Sequence, residues 1–272
     1  MIMSVEEEKF AALTRKISRE RGFECASYKE KCLRRRIAVR MRARAVHSFD
    51  DYGRILDQDD REYDLLLDAL TINVTKLFRN PGTFDAIARF VVPALCAQNT
   101  RKVKVWSAGS ASGEEAYSLA ILFHQHNTSD GDLAAANRVS VLGTDIDAKS
   151  LARAEKGAYP EAAFADMPHA LRQRYFSARA PYKAVDEVRT MIRFSRHDLL
   201  REPPPEQGFS LIACRNVIIY FDRDSQEKLF DKFHNALEPG GYLVLGKVET
   251  LFGPARERFA TVDAAERIFK RR

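Results

Sequence analysis

Two acids, Glu114 and Glu115, follow a loop built only of small residues, Ser107-Ala108-Gly109-Ser110-Ala111-Ser112-Gly113. Small side chains let a backbone come close to a ligand. Amides at the start of a helix suit an anion, yet two carboxylates placed there would repel a pyrophosphate. A nucleoside that carries positive charge and no phosphate fits the corner better. S-adenosylmethionine (SAM) is such a ligand, with its adenosine, amino acid and sulfonium. On this stretch alone a second reading stays open, in which the acids only complement the helix dipole. Asp145 ends "VLGTD", where an acid can accept from both hydroxyls of a ribose. Capping of the helix that starts near Ala148 is the competing role, and Asp147 suits it better.

These residues need a scaffold that gathers them. Residues 1–70 carry apolar positions at helical spacing in "FAALTRKI", "LRRRIAVRM", "FDDYGRIL" and "EYDLLLDAL", which predicts a small helical bundle. "TINVTKLFRNPGTF" breaks that pattern and Asn-Pro-Gly reads as a turn. From about residue 100, strands alternate with helices: "KVKVW", then "EEAYSLAILFHQH"; "RVSVLGTD", then "AKSLARAEK"; "FSLIAC", then "DSQEKLFDKFHNAL". "EPGGYLVLG" follows as a turn and a strand, and "ERFATVDAAERIFKRR" as a closing hairpin. The expected fold is α/β: a Rossmann-like, mostly parallel sheet with an antiparallel edge, preceded by an all-α domain. The boundaries are 1–72 for the helical domain, 73–98 for a linker and the start of the next domain, and 99–272 for the α/β domain. Residues 158–196, with "MIRFS" as a strand, read as a small β insertion.

The chain has 272 residues, 45% hydrophobic and 30% charged, with a net charge of +6. No apolar stretch approaches the roughly 20 residues of a membrane span, and the acidic start lacks an apolar signal core, so a cytoplasmic protein is expected. Cys25, Cys32, Cys96 and Cys214 lack metal or disulfide spacing and read as reduced thiols, with no metal site. The positive excess is local. "YKEKCLRRRIAVRMRAR" forms a basic helix with Leu33, Ile37 and Met41 as its apolar stripe. A solvated face is the ordinary fate of such a run, but an acidic partner is the functional reading.

Taken in order, "LRRRIAVRMRAR", "LTINVTKLFRNPGTF", "VWSAGSASGEEAYSLA", "GTDIDAKSLARAEKGAY" and "CRNVIIYFDRDSQEKLFDKFHNALEPGGYLVLG" closely resemble the CheR-type chemotaxis receptor methyltransferases, over nearly the whole chain. "SASGEEAYS" and "CRNVIIYF" are specific; "EPGG" is not. The resemblance implies methyl transfer from SAM, leaving S-adenosylhomocysteine, to glutamate side chains on the cytoplasmic helices of chemoreceptors. It implies that Asn73, Thr75 and Arg79 lie against the cofactor, with Arg79 near the incoming carboxylate. Glu114, and less strongly Glu115, would contact the cofactor, Asp145 its ribose, and Asp198 with the Leu199 backbone its adenine. Arg215 and Asn216 would line the methionine portion, and Tyr220 would sit near the sulfonium. Arg79 and Tyr220 are the expected catalytic pair. Turn and cap chemistry for Asn73 and Thr75, and core packing for Tyr220, are the competing roles.

The basic helix, Arg34 to Arg44, would dock on the acidic receptor, and charge reversal at Arg36 and Arg40 would test this. No nucleic acid, membrane insertion or oligomer is expected. Two departures stand out: Leu77 where the family has phenylalanine, and "GKVE" (Gly246–Glu249) where many members have Gly-His-Ser-Glu. The competing functions are a SAM-binding adaptor with weak catalysis and a nucleic-acid methyltransferase, although "CRNVIIYF" occupies the place of the latter's Asn/Asp-Pro-Pro-Tyr motif.

Overall fold

The computed structural model describes residues 4–71, 75–97, 102–129 and 138–272. They form two compact units: residues 1–72 with 220–225, and residues 73–219 with 226–272.

The first unit holds α1 (Val5–Arg21), α2 (Glu30–Ala43), α3 (Phe49–Gln58) and α4 (Asp60–Leu70). Ser4 and Glu7 form a reciprocal capping box at the start of α1. Ser48 and Asp59 cap α3 and α4 through their side chains. Phe10, Leu13 and Ile17 of α1 pack with Leu33, Ile37 and Met41 of α2 and with Tyr52, Leu56, Tyr63, Leu66 and Leu70.

Two arginines expected on the docking face of α2 turn inward. Arg36 is buried, and its Nη1 donates to the carbonyl of Leu70. Arg40 makes a two-pronged pair with buried Glu62, Nε to Oε1 at 3.0 Å and Nη2 to Oε2 at 2.6 Å. Tyr52 donates to the same carboxylate at 2.8 Å. Burial alone would raise the Glu62 pKa, but the Arg40 and Tyr52 bonds outweigh it and the carboxyl is held below its ordinary value. Arginine stems are long enough to cover the apolar stripe while the head groups find partners behind it. Lys31, Arg35 and Arg42 remain exposed, with Val39 among them.

The second unit begins with α5 (Pro81–Ala86), a π-helical turn over Ile87–Val91, and α6 (Val92–Cys96). The Asn-Pro-Gly read as a turn is thus a helix start, with Asn80 left-handed at the N-cap and Pro81 in the first turn. There follow β1 (Val103–Ala108), α7 (Glu114–Ser129), β2 (Val139–Asp145), α8 (Ala148–Lys156), β3 (Ala158–Tyr159), α9 (His169–Tyr175), β4 (Tyr182–Lys183), α10 (Asp186–Arg189) and β5 (Ile192–Arg196). The chain closes with β6 (Phe209–Cys214), α11 (Arg223–Ala236), β7 (Leu237–Leu245), α12 (Ala255–Arg258), β8 (Phe259–Asp263) and β9 (Ile268–Arg271).

The main sheet runs β5-β2-β1-β6-β7-β9-β8, the first five strands parallel and the last two antiparallel. All of β6 and all but one residue of β1 are buried, as expected for strands covered on both faces. "MIRFS" departs from the expected insertion: β5 joins β2 in the main sheet, Val141 opposite Ile192. The insertion's own sheet is the short β3–β4 pair. A short alternating strand can sit at any sheet edge, and its nonlocal partner decides which.

Candidate functional site

From β1 the sheet grows outward through β2 to β5; it then resumes on the other side of β1 with β6. The growth direction therefore reverses between β1 and β6, and the loops that leave their carboxyl ends open a crevice there. Gly109 and Ser110 donate their amides to the carbonyl of Thr144 at 2.9 and 2.8 Å, which ties the loop after β1 to the end of β2. Gly109 has φ +79°, and a Cβ on it would lie 2.5 Å from Val217 Cγ2. The two loops thus approach more closely than any side chain at position 109 allows.

Asp145 is the keystone of the β2 end. Its Oδ2 accepts from the Ala111 amide at 2.8 Å and its Oδ1 from the Asp147 amide at 2.9 Å. Asp147 caps α8, accepting from Lys149, so the two acids have separate tasks. Glu114 and Glu115 also diverge. The Ser112 hydroxyl bridges both Glu114 oxygens, at 3.0 and 2.8 Å. Glu115 accepts from Ser107 Oγ at 2.8 Å and faces Arg215 Nη1 at 3.4 Å. Arg215 also donates to the carbonyl of Arg79 at 2.6 Å and to Asn80 Oδ1 at 3.2 Å. Burial pushes the Glu114 and Asp145 carboxyls above their ordinary values. It does the same to Glu115, against the pull of Arg215.

The segment before α5 is fixed in the same unit. Leu77 donates its amide to the Ala163 carbonyl at 3.0 Å, and Phe78 to Ser118 Oγ at 2.8 Å. Leu77 is fully buried, so its departure from phenylalanine is a matter of core volume. On the far side of β2, the amides of Leu200 and Arg201 converge on Asp198 Oδ1 at 2.9 and 3.1 Å. Lys232 of α11 binds this turn from behind, donating to the carbonyls of Leu199 and, at 2.5 Å, Glu202.

Residues 73–268 match the family model described as CheR methyltransferase, SAM binding domain. Residues 8–71 match the CheR methyltransferase all-alpha domain. The chain belongs to the CheR methyltransferase family. It is similar to the chemotaxis protein methyltransferase of Listeria innocua, with 33% identity over 264 residues and 97% of each chain covered. It is also similar to chemotaxis protein methyltransferase 2 of Pseudomonas aeruginosa, with 31% identity over 249 residues, 89% of this chain and 86% of that one. Among solved structures, a TehB-like SAM-dependent methyltransferase from Corynebacterium glutamicum covers 71% of this chain and 100% of its own, at 17% identity and a TM-score of 0.40.

The residues of this CheR-family chain fit SAM on two observations. Among the described residues, Glu114 and Asp145 are buried with no cationic partner. A cation beside Glu114, and hydroxyl donors to Asp145, would compensate for what burial removes. Ser110 Oγ and Asn216 Oδ1 are buried with no hydrogen-bond partner among the described residues, and each borders the crevice by its place in a loop.

Of the expected site residues, Arg79, Glu114, Asp145, Asp198, Leu199, Arg215 and Asn216 occupy the loops and helix start at one end of the parallel sheet, or the segment bonded to them. Thr75 lies two residues before Leu77 on that segment. Asn73 falls outside the described residues. Tyr220 groups with the helical unit, where Arg36 stacks over its ring at 4.4 Å. Sequence reasoning passed over one clamp, Lys232, in the middle of an amphipathic helix.

This geometry sets a pH dependence. A cation beside Glu114, like hydroxyl donors to Asp145, would favour the ionised carboxylate, so these pKa values would be lower in the complex than in the free protein. Affinity is then full above the raised free-state values and falls as pH drops through them. S-adenosylhomocysteine, which keeps the ammonium, is expected to bind progressively more weakly as pH falls through the raised free-state values of these carboxyls. Glu114→Gln should flatten part of that slope. Calorimetric titration across pH checks it, and an unchanged slope in the variant removes Glu114 from the ligand's charge balance.

Proposed function

We propose that this methyltransferase esterifies glutamate side chains on the cytoplasmic helices of chemoreceptors. The observation that carries the reading is the pair of buried carboxylates, Glu114 and Asp145, which have no cationic partner among the described residues, at the crevice of a SAM-binding domain. SAM supplies an electrophilic methyl on a sulfonium, which a glutamate carboxylate attacks in line, the C–O bond forming as the C–S bond breaks. That carboxylate is already ionised at neutral pH, so no general base is needed and alignment supplies the catalysis. Glu114 holds the ammonium, Asp145 the ribose hydroxyls, and Asp198 with the Leu199 backbone the adenine. Thr75 lies against the cofactor. Arg79 orients the incoming carboxylate, Arg215 and Asn216 line the methionine portion, and Tyr220 steadies the sulfonium through its ring face. Support comes from the named relatives, both chemotaxis protein methyltransferases.

The receptor partner is recognised by the exposed face of α2, Lys31, Arg35 and Arg42, since Arg36 and Arg40 are committed inside the bundle. The experiment incubates the full chain with methyl-labelled SAM and the cytoplasmic fragment of a chemoreceptor. Label that mild base releases as methanol marks a carboxyl ester. Arg35→Glu with Arg42→Glu should raise the receptor KM about tenfold and leave S-adenosylhomocysteine affinity unchanged, as for charges that steer and dock a partner. S-adenosylhomocysteine binding with no methyl transfer to any receptor fragment would favour a SAM-binding adaptor instead.

A further inference from the structure

Glu249 is given no contact with the ligand itself, yet its carboxylate is almost fully buried. It collects backbone amides from two chain segments. Oε2 accepts from Gly246 at 2.6 Å and Asn216 at 3.0 Å, and Oε1 accepts from Ile219 at 3.2 Å. Gly246 follows β7, while Asn216 and Ile219 follow β6, its parallel neighbour in the sheet. One carboxylate therefore bolts together the exits of two adjacent strands. The fit is tight: a Cβ on Gly246 would lie 2.7 Å from Glu249 Oε2 and 2.8 Å from the Asn216 amide.

The bolt holds Asn216 at φ +60°, a left-handed backbone that asparagine adopts more readily than most side chains but that is still uncommon. Asn216 also buries Oδ1 without a partner among the described residues. Burial pushes the Glu249 pKa up, and the amides of Gly246, Asn216 and Ile219 pull back toward the ionised form. The anion and the loop conformation are thus mutually dependent.

We propose that Glu249 is a positioning residue for methyl transfer: through the Asn216 and Ile219 amides it fixes the Arg215–Ile219 loop, which presents the Asn216 side chain and leads directly into Tyr220. This rests on the function proposed above. The loop serves the reacting end of the ligand, whereas the ribose and adenine are held by Asp145 and Asp198. Loss of the bolt therefore separates rate from affinity.

The test compares wild type with Glu249→Gln, which keeps the volume but cannot accept at both ends. Gly246→Ala is the second variant, because it pushes the same carboxylate without changing charge. Melting temperature, S-adenosylhomocysteine affinity by calorimetry, and the methyl-transfer rate at saturating SAM and receptor fragment are measured for each. The expected result is a rate lower by about ten- to a hundredfold, with affinity for S-adenosylhomocysteine held within about threefold, less than 1 kcal/mol. Wild-type rates in both variants overturn the proposal, as does a parallel loss of rate and affinity, which would make Glu249 a general prop of the fold. A wild type that binds S-adenosylhomocysteine but transfers no methyl overturns the proposed function and this assignment together. An active wild type with equally active variants overturns this assignment alone.

Discussion

Asp145→Ala is expected to weaken S-adenosylhomocysteine binding by about ten- to a hundredfold, because a hydrogen bond to a charged group contributes about 1.5–3 kcal/mol. Two losses combine. The carboxylate proposed to accept from the ribose hydroxyls disappears, and the amides of Ala111 and Asp147 lose the acceptors that hold the two loops together. Asp145→Asn separates these contributions. Its amide oxygen can satisfy one backbone donor, while its NH2 must face the other, so the loss should be intermediate in the loop and nearly complete at the ribose. Calorimetry on folded variants decides it. An unchanged dissociation constant in Asp145→Ala would remove this residue from the binding site and leave it a purely internal brace.

Gly109→Ala should damage the crevice severely. The added carbon would lie 2.5 Å from Val217 Cγ2 and 3.3 Å from Cγ1, on a residue with φ +79°. Left-handed backbone costs about 1–2 kcal/mol for a side chain, and overpacking typically about 1–3 kcal/mol more. For a domain of this size each kcal/mol lowers the melting temperature by about 2–4 °C, so a fall of about 5–15 °C is expected, with loss of S-adenosylhomocysteine affinity. Val217→Ala in the same chain should relieve the overlap but not the backbone cost, recovering part of both. A Gly109→Ala protein with wild-type melting and affinity would show that the loops have room to part.

How much of this could be read in the chain depends on how local the deciding interactions are. The β1 corner was legible because strand, small-residue loop and acids are contiguous, and Asp145 because its place at a strand end follows from the apolar run before it. The direction of Arg36 and Arg40 was not legible. Their partners, Leu70 and Glu62, lie 34 and 22 residues away, and a charge run reads as a surface whenever such partners are unknown. "MIRFS" could be recognised as a strand but not assigned to a sheet, because its pairing with β2 spans intervening helices and the β3–β4 insertion. Glu249 was seen only as the last letter of an unusual "GKVE". Its function is written in amides of a different strand's exit, about which residue types carry no information. Asn80-Pro81 illustrates a milder ambiguity, since the same dipeptide serves a turn and a helix start.

The grouping of Tyr220–Ser225 with the helical unit bears on how members of the family could be recombined. Within that unit the Lys29 amide donates to the Tyr220 carbonyl at 2.9 Å, the Asp222 amide donates to Ser27 at 2.9 Å, and Phe221 meets Tyr28 edge-on at 5.1 Å. A chimera that exchanges only residues 8–71 between two relatives would graft a foreign socket onto a resident plug. The heritable module is therefore discontinuous: the helices and the six-residue plug must travel together.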